Sequence, residues 1–262
     1  MTRLVMSFSF QAAWNDHGRN ASTFLEAFYA IKMGLPVISA QSWQSALRPN
    51  HLTHEQFLTG FPILEQSAPG QNLDRRIPSK GSVVVEYDLS GTSWQNSGEV
   101  HDKSGNEYTG RLKDGVITTP LGSKGHNYTL LINTTIPHTS GNLLSGPDDT
   151  FGFTALGMNG TVTLSFNSTN ITYPLANYSV PNSVSSSSWM EIIITGTEKG
   201  TSAFVDGVHV GDFLVTIGGT SLVEPMAFVA PLLRIGLPGG TVSRFVVWDG
   251  IQDVATVSGA IE

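Results

Sequence analysis

Hydrophobic and polar positions along the chain follow two different periods. From Leu4 to Phe10 the pattern reads as a strand, with Phe8 and Phe10 alternating against serines. A helical spacing follows over Phe24, Leu25, Phe28 and Ile31. It starts with the capping-box order Thr23-Phe24-Leu25-Glu26 and is stopped by Gly34 and Pro36. Ala46 to Lys80 is transitional: His54–Gln66 predicts a short helix interrupted by Gly60 and Pro62, followed by the linker-like run 66–72. From Gly81 onward the period becomes two, beginning with Val83-Val84-Val85-Glu86-Tyr87. Further strands are predicted over Tyr108–Leu112, Tyr128–Asn133, Gly152–Leu156, Thr161–Phe166, Met190–Thr195, Ala203–Val205, Val208–Phe213, Leu233–Leu237 and Arg244–Trp248. Many short strands without a long helix predict a mainly β fold, an antiparallel two-sheet sandwich or jelly roll.

This division predicts three regions: 1–45 as one strand–helix unit, 46–80 as a linker with a short helix, and 81–262 as the β-sandwich. The strand–helix order puts Trp14 and Asp16 at the C-terminal tip of a strand, the place where (β/α) barrels hold their chemistry. A single unit of this kind is a barrel edge, not a barrel.

Composition adds a setting. Charged residues make up 13% of the 262 residues, against ~25% in ordinary soluble domains. Low charge with abundant small hydroxyl residues suits β-rich extracellular proteins. A net charge of −7 argues against a nucleic-acid partner, which requires a basic face. No apolar run reaches the ~18 residues of a membrane span, so no membrane partner is expected. There are no cysteines, which removes disulfides and thiolate metal sites, and no cofactor motif occurs. Seven glycosylation sequons stand at Asn20, Asn127, Asn133, Asn159, Asn167, Asn170 and Asn177, six of them within a 51-residue stretch. They point to a secreted glycoprotein. Residues 4–10 are short and serine-interrupted for a signal-peptide core, so a secretory signal is expected upstream of the sequence given.

Two resemblances follow. The β-region resembles the laminin-G-like, concanavalin-A-like jelly rolls. The residues carrying this are Val85-Glu86-Tyr87-Asp88, Val100 to Asn106, Gly110-Arg111-Leu112, the Asp206-Gly207 hairpin, Leu233 to Gly236, and Phe245 to Asp249. The front segment resembles the last strand and helix of the catalytic barrel in glycoside hydrolase family 20, the β-N-acetylhexosaminidases, through Trp14-Asn15-Asp16, Asn20, Glu26, Leu35-Pro36 and Trp43. That resemblance implies a sugar subsite in which Asp16 accepts hydrogen bonds from the outer hydroxyls of a terminal N-acetylhexosamine and Trp14 lines the pocket. It also implies that the chemistry belongs to an adjacent Asp-Glu pair on an earlier strand. The chain contains no Asp-Glu or Glu-Asp dipeptide, so no catalytic residue is assigned and the chain as given is expected to be inactive. The missing N-terminal barrel would be its partner.

The expected function is therefore the C-terminal portion of a secreted β-N-acetylhexosaminidase-like glycosidase. The alternatives are a non-catalytic carbohydrate-binding protein and a purely structural accessory domain. Asp148-Asp149 reads as a polar turn, with calcium binding as the alternative. Trp94, Trp189 and Trp248 could stack on sugars, although large aromatics in a jelly roll more often pack in the core or a hairpin; Trp94 is the better exposed candidate, and Trp248 is placed in the core.

Overall fold

In the computed structural model, the described residues are 53–67, 74–90, 97–135, 141–146, 152–158, 161–168, 171–174, 189–216 and 223–258. The strand–helix unit expected over 1–45 lies outside them, as does Trp94.

The period of two seen from Gly81 onward becomes two antiparallel sheets, with strands numbered in chain order. The first has six strands in the spatial order β1 (Val83–Asp88), β18 (Thr241–Asp249), β6 (Tyr128–Thr135), β11 (Met190–Thr197), β12 (Gly200–Val205) and β13 (Val208–Asp212). The second has eight, ordered β10 (Ile171–Pro174), β9 (Thr161–Ser168), β8 (Gly152–Met158), β7 (Gly141–Ser145), β17 (Arg234–Ile235), β4 (Val116–Thr118), β3 (Gly110–Lys113) and β2 (Gly98–Val100). Two short ribbons complete it: β14 (Leu214–Thr216) with β15 (Val223–Pro225), and β5 (Ser123–Lys124) with β16 (Ala230–Pro231). One buried cluster draws on both sheets, with Tyr87, Leu130, Ile192, Ile194 and Phe245 from the first and Leu112, Ile117, Leu144 and Phe166 from the second. The chain is thus a jelly-roll type β-sandwich.

Register explains why the central strands are apolar on both faces. Ile192 stands opposite Ile132, and Ile194 opposite Leu130, all turned to the main core. Leu131 and Ile193 point the other way, as period two requires. There they meet Val257 of the five-residue helix Val254–Ser258, with Phe204, Trp248 and Val254 packed around them. Trp248 therefore sits outside the main core: Phe245 and Val247 face inward, and the next outward position is covered by this helix. Asp206 and Gly207 form the expected tight turn, with φ of 49° and 76°; positive φ at both central residues is the type I′ signature.

The helix predicted over His54–Gln66 is present as α1 (His54–Ser67), and it runs through Gly60 and Pro62 without interruption. Pro62 removes one ladder donor. Reciprocal capping compensates: Gln56 N donates to Thr53 Oγ1, and Thr53 N donates to Gln56 Oε1. Phe57 and Phe61, one turn apart, stack at 5.6 Å. The C-terminal helix Val254–Ser258 is α2. Among the described residues no helix is long and apolar enough to cross a membrane.

Candidate functional site

The site begins with a strap. Residues 74–80, the end of the stretch read as linker, are fastened along the sandwich. Arg75 Nη1 donates to Leu121 O at 2.8 Å and to the backbone and side chain of Ser123; Gly125 N donates back to Arg75 O at 2.8 Å. Ile77 is buried in the main core. Pro78 O accepts the Tyr108 hydroxyl at 2.6 Å, which fixes the ring beside the strap. Lys80 N donates to Asn106 Oδ1 at 2.7 Å.

Tyr108 is held from its other end by Asp102. Asp102 Oδ1 accepts Glu86 N at 3.0 Å and Ser104 N at 2.9 Å, and Oδ2 accepts Ser104 Oγ at 2.8 Å and Tyr108 N at 3.1 Å. Burial pushes this carboxyl up, but the backbone and side-chain donors outweigh it and hold it below the ordinary aspartate value. Asn106 Nδ2 seals the same loop onto β1 through Val83 O and Val84 O. Tyr87 Oη then donates to Tyr108 O at 2.5 Å. Burial first, and the Asp102 charge second, push both tyrosine hydroxyls up, so both remain protonated donors. The stretch Val100 to Asn106, which carried part of the jelly-roll resemblance, is in space the hub that places Tyr108.

Strap and hub enclose a cleft of about 580 Å³ lined by Arg75, Arg76, Ile77, Pro78, Ser79, Tyr108, Pro120, Leu121 and Asp249. Asp249 is ion-paired at 2.7 Å to Lys124 Nζ, whose side chain is buried and also donates to Asn127 O and Gly125 O. Past Pro120 and the Thr109–Gly110 backbone lies a second groove, about 660 Å³, that adds Ser97, Gly98, Glu99, Arg111 and Thr118. Glu99 and Arg111 are register partners on β2 and β3, and Arg111 is likewise opposite Thr118 of β4. All three are exposed. Both volumes fall within the ~300–1,000 Å³ of small-ligand sites. Apolar faces (Tyr108, Pro78, Pro120) alternate with a carboxylate, guanidinium forks and hydroxyls. Such a surface can pack against the apolar face of a pyranose while binding pairs of its hydroxyls.

The residues singled out in the sequence fall differently. Trp14, Asp16, Asn20, Asn159, Asn170, Asn177 and Asp148-Asp149 lie outside the described residues. Asn167 is within β9, and only its backbone is described. Asn127 is exposed in the loop entering β6. Asn133 is half-buried on the outward face of β6, with Oδ1 enclosed and without a hydrogen-bond partner. Trp189 is 51% exposed at the start of β11. Tyr108, Glu99 and Arg111 carried no functional assignment in sequence, and Asp74-Arg75-Arg76 read only as a charged boundary. No local pattern marked them, since the Glu99–Arg111 pairing comes from strand register alone. Among the described residues no group of three or more His, Cys, Asp or Glu side chains could hold a metal ion.

No family model matches the chain, and no curated protein matches it. Solved structures overlap with it partially. Domain 4 of a GH43 extracellular arabinanase from Geobacillus stearothermophilus, in complex with arabinotriose, is similar over 69% of this chain and 98% of that one, at 13% identity and a TM-score of 0.41. Trypanosoma rangeli sialidase in complex with sialic acid is similar over 80% of this chain and 38% of that one, at 15% identity and a TM-score of 0.41. The binding domain of botulinum neurotoxin DC, in complex with rat synaptotagmin II, is similar over 68% of this chain and 50% of that one, at 9% identity and a TM-score of 0.42. The chain thus spans half or less of the toxin domain and the sialidase. The β-sandwich assignment rests on its own sheet topology.

Proposed function

We propose that this chain is a glycan-binding accessory β-sandwich of an extracellular, glycosidase-type protein. The saccharide would lie along the two grooves that meet at Pro120, between Arg76 and Arg111. The observation that supports this most is the second groove, where exposed Glu99, Arg111 and Thr118 are held side by side on paired strands next to the Tyr108–Pro120 apolar surface. Carboxylate and guanidinium can each bind a diol through two hydrogen bonds, and the open groove suits a chain-like ligand. The saccharides named with the arabinanase domain and the sialidase suggest probes to try; the cleft's own chemistry carries the proposal.

The finer reading follows from the front segment. In it the parent protein is a β-N-acetylhexosaminidase-like hydrolase, Trp14 and Asp16 form one edge of its sugar subsite, and this chain supplies no catalytic carboxylate pair. Secretion accords with the sequons, of which Asn127 is exposed on the folded surface.

The test is binding of the full chain to chitotriose, arabinotriose and sialyllactose by calorimetry. At least one is expected to bind, and E99Q combined with R111A should weaken it by at least tenfold, the effect of losing about 1.4 kcal/mol. Both positions are exposed, so thermal stability should be unchanged. Equal affinity in wild type and double variant, or no binding of any glycan, would overturn the assignment of this groove.

A further inference from the structure

The outward face of the six-stranded sheet carries a polar row that glycan binding does not use. Register sets Arg244 of β18 opposite Asn133 of β6, and Asn133 opposite Glu191 of β11. Glu191 is also tied to the turn after β12, donating its N–H to Asp206 Oδ1 at 3.0 Å and accepting Asp206 N at 2.9 Å. Although charged residues are seldom fully buried, Glu191 is only 7% exposed. Its Oε1 accepts the hydroxyl of Ser258, the last residue of α2, at 2.5 Å. Its Oε2 is enclosed with no partner, and so is Oδ1 of Asn133.

Two enclosed acceptors stand on directly opposed residues, whose Cβ atoms are about 4.5–5.5 Å apart in such a pair, and neither has a hydrogen-bond partner as the side chains are oriented. For an ionised carboxylate that arrangement is costly. A single proton resolves it, because a carboxylic acid donates where a carboxylate cannot. We propose that Glu191 is held as a carboxylic acid whose Oε2–H donates to Asn133 Oδ1. Ser258, Glu191 and Asn133 then form one relay that fastens α2 to the sheet; loss of the Glu191 proton breaks the Asn133 link and leaves a buried charge that is hydrated only when the C-terminal helix lets go, a cost that outweighs the Ser258 bond.

The surroundings of Glu191 are consistent with this. Burial is the largest influence and raises its pKa; the Ser258 hydrogen bond lowers it, the Asp206 charge raises it and the Arg244 charge lowers it. Arg244 is engaged elsewhere, donating through Nε and Nη2 to Glu86 Oε1 at 3.3 and 3.0 Å. β6 contributes the neutral Asn133. From α2 comes Ser258, while Asp253 at the start of the helix is turned to Thr256 Oγ1 at 2.7 Å. The net shift is upward. A carboxyl raised in the folded state stabilises most below its unfolded value, and that stabilisation is lost as pH rises through the folded value. The latch is therefore closed in acid and opens as pH rises. Gly207 leaves room for it, since a Cβ there would lie 3.3 Å from Ser258 Oγ.

Amide exchange in the full chain tests the latch, read at Val257 N, which donates to Asp253 O at 3.0 Å. Protection of this amide in wild type, relative to E191Q, should fall by up to about tenfold per pH unit between the ordinary glutamate value and the raised value of the closed latch, and level off above it. S258A should lower protection at acid pH, where the latch is closed, and converge with wild type as pH rises. The carbon-13 shift of the Glu191 carboxyl in wild type should report a titration above the ordinary glutamate value, a readout that needs no variant to fold. Identical pH dependence in wild type and E191Q, full protection in S258A at acid pH, or a carboxyl titrating at or below the ordinary value would each overturn the latch.

Discussion

Replacing Phe228 by alanine is expected to lower stability by about 3–5 kcal/mol, the range for truncating a fully buried phenylalanine. Phe228 lies outside any strand, in the segment between β15 and β16, yet it joins the two sheets. Its ring stacks on Phe166 of the eight-stranded sheet with centroids 3.7 Å apart, and meets Phe213 edge-on at 5.6 Å. Its backbone is held by the other sheet: Phe228 N donates to Thr201 Oγ1 at 2.9 Å, and Phe228 O accepts the Tyr128 hydroxyl at 3.1 Å. Alanine would keep the backbone bonds but leave a cavity between the sheets, and a well-packed interior closes such a cavity only in part. Denaturant unfolding reads this as a lower midpoint at unchanged slope. V208A, at a position 66% exposed, should stay within about 0.5 kcal/mol of wild type. A similarly small loss in F228A would show that Phe228 does not join the sheets.

Asp102 to alanine should cost about 3 kcal/mol at neutral pH. Four donors lose a charged acceptor at once, and charge-assisted hydrogen bonds contribute about 1.5–3 kcal/mol each before solvent replaces part of the loss; Asp102 is only partly buried, so the sum is discounted. Its carboxyl is held below the ordinary value, and a depressed carboxyl stabilises above the unfolded pKa and loses that contribution as pH falls through the folded one. Wild type should therefore lose stability in acid more steeply than D102A, and the two should converge at low pH. Parallel acid profiles would contradict this role. Because Asp102 places Tyr108, the variant should also weaken glycan binding.

The sandwich was legible because its central strands are short apolar runs bounded by turn residues, buried on both faces. Val83–Tyr87, Tyr128–Asn133, Met190–Thr195 and Arg244–Trp248 are all strands in the structure, within three residues at their ends. Pro62 was read as a break on its lost donor alone, although the Thr53-x-x-Gln56 capping box that starts this helix is a sequence pattern. Trp248 was placed in the core because an apolar run does not show which face a later helix covers. Phe228 was missed because a core position outside any strand has no periodicity to mark it.

The groove was harder to see. Its residues come from 75–79, 97–111, 118–121 and 249, brought together by antiparallel pairing and by the strap rather than by a motif. Tyr108 is defined by a carboxylate six residues earlier and a proline carbonyl 30 residues earlier, contacts that no local spacing displays. The sequon asparagines were legible as a pattern, but only register distinguishes the exposed Asn127 from Asn133 in its polar row.

Chemical-shift mapping of the full chain during titration with a glycan that it binds tests the central claim most directly. Perturbations should centre on the amides of Glu99, Tyr108, Thr109, Gly110, Arg111 and Thr118, with the six-stranded sheet's outward face unaffected. Perturbations centred on the outward face around Trp189, with Glu99 and Arg111 unmoved, would contradict it.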